Sequence, residues 1–348
     1  MLPCGTFNED YGRDTAVIRT RLQWAITIIA IIFILTIPFF GSYYLIGLIN
    51  KISISIIAVL GLQLMMGYCG LISFGQVAFM AVGAFTSAIL STTYGWPFWI
   101  ALPISGITAG VVGVIGGTPA LRIKGFYLAL ATLAIHYIVT WVIMHMKITG
   151  GVIGLHAPAP TIAGFAFDTD ETMYFIIVPI MLIMTYFAKN LARSRVGRAF
   201  VAIRDNDLAA AVMGVNIFYY KLLAFFIGCF FAGIAGSLFA HWMQFVHVEQ
   251  FPLTDAVFFI GMIIVGGLGS ITGVFFGTIL ISLLIEAVTF ASPTLTGLFP
   301  AMGIAPAAAL GATAFGVVIA LFLIYEPRGL AHRWNIFKAS YRLFPFAY

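Results

Sequence analysis

Apolar runs of about twenty residues follow one another along this chain, separated by short breaks. A helix needs about 20 mostly apolar residues to cross a bilayer. The pattern predicts ten such spans, over residues 23–41, 43–66, 74–92, 97–119, 126–146, 172–189, 217–240, 253–268, 272–291 and 305–325. The second and third join through GYCGLISFG and the eighth and ninth through GGLGSITG, and neither joint carries a charge. Lipid-exposed irregular backbone is not tolerated inside a membrane. Both joints are therefore candidates for membrane depth under a cover of protein.

The composition agrees. Of 348 residues, 62% are hydrophobic and 8% charged, against about 25% charged in a soluble domain. The positions of the basic residues set the orientation. Arg13, Arg19 and Arg21 precede the first span, Arg122 and Lys124 follow the fourth, Lys189 to Arg204 follow the sixth, and Arg328 to Arg342 follow the tenth. All four clusters fall on one side if the count is even. The expected fold class is an all-α polytopic membrane protein of about ten transmembrane helices, with both termini cytoplasmic. It divides into a cytoplasmic tail (1–22), a membrane domain (23–325) that contains a cytoplasmic segment (190–216), and a second tail (326–348). Lys51, Lys147, the acidic loop FDTDET (167–172) and the loop after His241 land outside.

Several classes drop out. The net charge of +5 sits in loops and tails, as membrane orientation requires, so no nucleic-acid partner is expected. Cys4, Cys69 and Cys229 are far apart, without a CxxC, and read as small buried thiols rather than a disulfide or metal site. No cleavable signal peptide is expected, because the first apolar run is long and no small-residue cleavage site follows it. A membrane-embedded enzyme would need a nucleophile and base, or paired carboxylates; GxSxG, HExxH and DDxxD are absent. His241 and His247, six apart, and the acids Asp168, Asp170 and Glu171 read as solvated groups of the outer loops. The acids have a second reading, as a contact for an external protein. Trp96, Trp99 and Trp242 fit an interfacial aromatic belt. Gly, Ala and Ser recur three or four apart in GAFTSA, GITAGVVGVIGG, GIAGS and GGLGSITGVFFG, which lets helices approach closely.

One stretch breaks the apolar rhythm: SRVGRAFVAIRDNDLAAAVMGVN, residues 194–216. Val196, Ala199, Phe200 and Ile203 form an amphipathic helical stripe. Asp205 is the expected cap of a second short helix, with Asp207 favouring its positive end. Leu208, Ala211 and Val212 make its apolar face, and Gly214 stops it. Two readings fit: a helix lying on anionic lipid, or an element that docks in a groove of a soluble partner.

That stretch, with YYKLLAFFIGCFFAGIAGSLFA after it, closely resembles the permease subunits of the branched-chain amino acid class of bacterial ABC importers, the M-type of the pair most of all. Gly197, Arg198, Ala202, Ile203, Arg204, Ala209, Ala210 and Gly214 fall on the pattern of that family's coupling region, where Asp205 also stands. LMMGYCGLISFGQVAFMAVGAFTSA, RIKGFYLALATLA, the TGG at 149–151 with Gly154, and VGGLGSITGVFFGTILISLLIE match further ordered motifs, so the likeness covers about residues 50–330. Gln76 stands where the family commonly has His, the run VEQFPLTDAV places Asp255 at the start of the eighth span, and the 155–171 loop has no match.

The resemblance implies an importer for branched-chain or other hydrophobic amino acids, with urea, short amides and small organic acids as alternative cargo. It places the chain in the bacterial inner membrane. The chain has no GxxxxGK[ST] phosphate loop, so no cofactor is expected on it. ATP and Mg would sit on two cytoplasmic ATPase subunits; a second homologous permease and an extracytoplasmic solute-binding protein complete the implied assembly. Residues 194–216 would couple ATPase motion to the spans. Tyr68, Gly70, Ser73 and Gln76 of the first joint, with the intramembrane ionisable groups His136 and Glu286, are candidates for the translocation path; each also reads as a packing group of the bundle interior. An ion-coupled secondary transporter remains the rival class, and it leaves the capped cytoplasmic helix unexplained.

Overall fold

A computed structural model describes residues 25, 34–39, 41–120, 125–162, 164–298, 305–326 and 328–343. Helix dominates. In chain order the elements are α1 (Tyr43–Leu62), α2 (Gln76–Thr92), α3 (Phe98–Ala120), α4 (Phe126–His145), α5 (Asp170–Arg193), α6 (Arg195–Asp205), α7 (Asp207–Val212), α8 (Ile217–Met243), α9 (Leu253–Gly266), α10 (Ile271–Leu298), α11 (Ala305–Tyr325) and α12 (Leu330–Leu343). A π-helical turn, Gln63–Tyr68, extends α1. Nine of the ten predicted spans appear as helices; the span 23–41 and Cys4 fall largely or wholly outside the described residues. Seven described helices are long and apolar enough to cross a membrane, or eight if the bent pair of α11 and α12 is one span. At 17 residues α2 is shorter. These helices make the chain a multi-pass membrane protein.

The centre of the bundle is α8, packed on α1, α2 and α3. Small residues make this possible. A β-carbon on Gly83 would lie 2.3 Å from the Gly233 carbonyl oxygen, and one on Gly236 would lie 1.9 Å from that of Met80. Only hydrogen fits at either place, so the small-residue pattern of the sequence is a close crossing of α2 and α8.

Short strands tie the loops beyond the end of α8. β1 (Leu155–His156) pairs antiparallel with β4 (Phe245–Val246), while β2 (Thr161–Ile162) pairs with β3 (Phe165–Ala166). The 155–171 loop is thus a pair of small ribbons. Gln244 ends α8 in the left-handed region, φ 56°. Thr149 of the TGG stretch donates its hydroxyl to the Ile143 and Met146 carbonyls at 2.6 and 2.7 Å, which satisfies two end carbonyls of α4.

His241 differs from the solvated group expected. It is 1% exposed. Its Nδ1 meets the Pro158 carbonyl at 2.7 Å, which can only accept, so Nδ1 carries the hydrogen. Nε2 is then free to accept from the Ser87 hydroxyl at 2.8 Å, and Ser87 in turn accepts from Ser237 at 2.8 Å. The relay ties α2, α8 and the outer loop together. Asp170 is likewise not a free loop acid: it begins α5 and takes a 2.7 Å bond from the Trp242 indole, while its carbonyl accepts from Asn50. His247 caps the short turn Val248–Gln250 and bonds Val152.

Candidate functional site

The coupling segment folds as two helices at one end of the bundle. Ser194 caps α6, its hydroxyl accepting from the amides of Val196 and Gly197. The predicted stripe is real: Ala199, Phe200 and Ile203 are buried, Phe200 completely, and Val196 is half-buried. The cap of α7 is Asn206, not Asp205. Its Oδ1 accepts from the Ala209 amide at 3.0 Å. Asp205 still belongs to α6, where it pairs with Arg204, because the chain turns extended only at Asn206 (φ −159°, ψ 106°). Gly214 follows α7 at φ 84°, a conformation that favours glycine, so the expected stop is present.

The eight coupling candidates divide by direction. Gly197 and Ala210 are buried against the body, Ala202 is half-buried, and Arg198, Asp205, Ala209 and Gly214 are exposed. Arg204 points inward. Its Nη1 donates to the Gly67 carbonyl at 2.8 Å, while Nε and Nη2 hold Asp205 Oδ1 at 3.0 and 2.9 Å. Asp205 thereby orients a guanidinium whose Nη1 fixes the first Gly-rich joint. Gly70, at φ 74°, lies under the same side chain, and a β-carbon there would sit 3.2 Å from Arg204 Cγ.

The second joint meets the first at this point. A β-carbon on Gly269 would lie 3.1 Å from Arg204 Nη1, and one on Gly67 would lie 2.7 Å from the Gly269 nitrogen. Gln63, in the π-helical turn, donates to the carbonyls of Gly267 and Ser270, both at 3.1 Å. One arginine of the coupling segment and one buried glutamine therefore hold together two joints some 200 residues apart in sequence. The sequence reading named Arg204 but not its target, and it missed Gln63. The signal for Gln63 was available: it is an amide deep in an apolar stretch, Ile56 to Met66, with no other polar side chain.

Beside this junction lies Cys69. Burial pushes its thiol up to about 12, against the opposing pull of the Lys221 ammonium. A thiol that stays protonated is inert, as the sequence expects.

The path candidates are spread over the bundle. Tyr68 and Gly70 are at the Arg204 junction. Ser73 is fully buried and accepts from the Gly75 amide at 3.2 Å. Gln76 is also fully buried; its Nε2 donates to Ala58 at 2.8 Å and Gly228 at 3.1 Å, so it joins α1, α2 and α8. His136 is 3% exposed and stands edge-on to Tyr137. Glu286 accepts from the Tyr44 hydroxyl and borders a cavity of about 190 Å³ toward the opposite end of the bundle, together with Lys51 and Asp255. No single constellation contains all six.

The apolar face of α7 looks away from the protein. Leu208 and Val212 of α7, and Met213 just after it, are 72%, 88% and 83% exposed, while Ala210 is buried. An exposed apolar face on a short capped helix fits either of the two readings of the sequence, a lipid surface or a groove on a soluble partner. Residues 44–325 match the family described as branched-chain amino acid transport system / permease component, and the chain belongs to that family. It is 33% identical over 269 residues to the high-affinity branched-chain amino acid transport system permease protein LivM of Escherichia coli, covering 70% of this chain and 63% of that one. It is 25% identical over 334 residues to the probable branched-chain amino acid transport permease protein LivM of Methanocaldococcus jannaschii, covering 84% and 90%. It is also 23% identical over 305 residues to the ribose import permease protein RbsC of Haemophilus influenzae. No solved structure gives a significant match.

Proposed function

We propose that this chain is one of the two permease subunits of an ATP-driven importer for branched-chain or other hydrophobic amino acids. It forms half of the translocation pathway and binds no cofactor itself; ATP and Mg belong to two cytoplasmic ATPase subunits. A homologous permease lies beside it, and an extracytoplasmic binding protein delivers cargo. The observation that carries the reading is the outward apolar face of α7 joined through Asn206 to the inward guanidinium of Arg204. A push on α7 from an ATPase cleft passes through α6 to Arg204, and Arg204 holds the joints at the ends of α1 and α9. This is a rigid lever between a nucleotide-dependent partner and the spans.

The test is co-purification with the products of the neighbouring genes in mild detergent. Two ATPase chains and a second permease are expected. Val212→Glu and Leu208→Glu place a charge on the outward face without touching the core, and both are expected to shed the ATPases while keeping the second permease. A chain that purifies alone and still accumulates solute in proteoliposomes overturns the reading and restores the secondary transporter.

A further inference from the structure

The cavity of about 190 Å³ between α1, α2, α8, α9 and α10 has an unusual wall. It is larger than the ~150 Å³ apolar cavity that accepts benzene. Ile54, Val77, Met80, Phe239, Phe259 and Met262 make an apolar lining, and all but Phe239 are less than a tenth exposed. Three charged side chains share that space: Lys51 of α1, Asp255 of α9 and Glu286 of α10. Among the described residues, no side-chain hydrogen bond engages Lys51 or Asp255, and they form no ion pair within the 4.0 Å limit that marks the pairs present elsewhere. Glu286 has one neutral partner, the Tyr44 hydroxyl. Asp255 and Glu286 are half-buried, and a charge in an apolar setting is costly unless paired; Lys51 stands exposed at the rim. They sit here close enough to share a cavity but are not paired with one another.

We infer that this cavity is a transit site for a zwitterionic amino acid with an apolar side chain, Lys51 receiving the carboxylate, Asp255 and Glu286 the ammonium, and the α2, α8 and α9 wall the side chain. The assignment rests on the importer reading above and gives its cargo a place and named partners. A ligand with adjacent opposite charges answers both signs at once and carries no net charge into the membrane. A simple carboxylate satisfies Lys51 but faces two acids of its own sign. A simple amine satisfies the acids and leaves Lys51 unanswered. Urea brings neither charge nor apolar surface. The site lies well away from the coupling junction: Lys51 and Gly67 are 16 positions apart on one helix, about 24 Å at ~1.5 Å per residue. Cargo and ATPase thus act on opposite ends of the same helix.

The test uses the complete complex carrying Ser55→Cys. Ser55 borders the cavity, and its hydroxyl bonds only the Lys51 carbonyl one turn back, so the change is small. Labelling by a charged methanethiosulfonate is timed with L-leucine, 4-methylpentanoate (leucine without its amine), isoamylamine (leucine without its carboxylate) or urea present; the wild-type complex gives the background from native cysteines. L-Leucine alone is expected to slow labelling, by about tenfold. Adding Asp255→Asn or Lys51→Gln to Ser55→Cys is expected to remove that protection. Equal protection by isoamylamine or by 4-methylpentanoate overturns the zwitterion assignment. Labelling indifferent to L-leucine, in a complex that imports leucine, overturns the site and leaves the importer standing. A wild-type complex with intact ATPases that imports no amino acid overturns the importer reading and the site with it.

Discussion

The two ends of α1 are finished in opposite ways. At the coupling end, polar side chains are matched to backbone: Arg204 to Gly67 and Gln63 to Gly267 and Ser270. At the other end, Lys51, Asp255 and Glu286 border a cavity, and Lys51 and Asp255 do not reach each other. Donors fixed on backbone carbonyls hold one geometry, although the buried Gln63 Oε1 has no partner among the described residues. Unpaired charges around an apolar space do the reverse, since they wait for a partner that comes and goes. Under the proposed function, the contrast would separate a transmission joint, which should be stiff, from a transit site, which should be incomplete without cargo.

Arg204→Ala is the strongest challenge to that contrast. It removes the bond to Gly67 and the packing over Gly70 together. The loss of a charged hydrogen bond to a partly buried carbonyl costs about 2 kcal/mol, so thermal stability in detergent should fall measurably. Uptake should fall further, by about a hundredfold, with ATP hydrolysis persisting, because the joint no longer follows α6. Lys51→Gln at the opposite end should cut leucine uptake about tenfold with melting unchanged, since Lys51 is exposed and makes no side-chain bond among the described residues. If both variants lose stability equally, the two ends do not differ in kind.

Val212→Glu comes next. At 88% exposure its side chain supports nothing within the chain, so melting of the isolated subunit should stay within about 0.5 kcal/mol of wild type. Only ATPase affinity should drop, by tenfold or more in a titration with purified ATPase. A variant that keeps its affinity assigns α7 to the lipid surface instead.

What the sequence revealed follows from range. Spans, stops and the amphipathic stripe of α6 are local: apolar runs, Gly214, and Val196 to Ile203 at helical spacing. They were legible, as was the close-packing role of Gly83 and Gly236. The meeting of the two joints was not, because nothing in GYCGLISFG or GGLGSITG names its partner across some 200 residues. Arg204 was legible as a residue of the cytoplasmic segment but not its target, and only the fold turns the guanidinium inward. Gln76, as a polar group of the first joint, and Glu286, as an ionisable group within a span, were both candidates for one path; one clamps three helices and the other borders the cavity. The cap of α7 was missed by one residue, since Asp205 and Asn206 are both good caps and only backbone geometry chooses between them.

The same lesson gives the smallest of the expected effects. By sequence His241 belonged to a wet outer loop. It is buried because α8 runs on to Met243, past the predicted end at 240, and carries the ring under Pro158. Ser87→Ala deletes the donor to Nε2 and the acceptor for Ser237 at once, leaving two buried polar atoms without partners. The expected cost is about 1–2 kcal/mol of stability, with leucine uptake unchanged once expression is matched, because the relay touches neither the cavity nor the joints. Ser87→Cys keeps the shape and a weak hydrogen-bonding group, and should recover part of the loss. A fall in uptake at matched expression, larger than the fall in stability predicts, would move the relay out of the scaffold and into the path of the cargo.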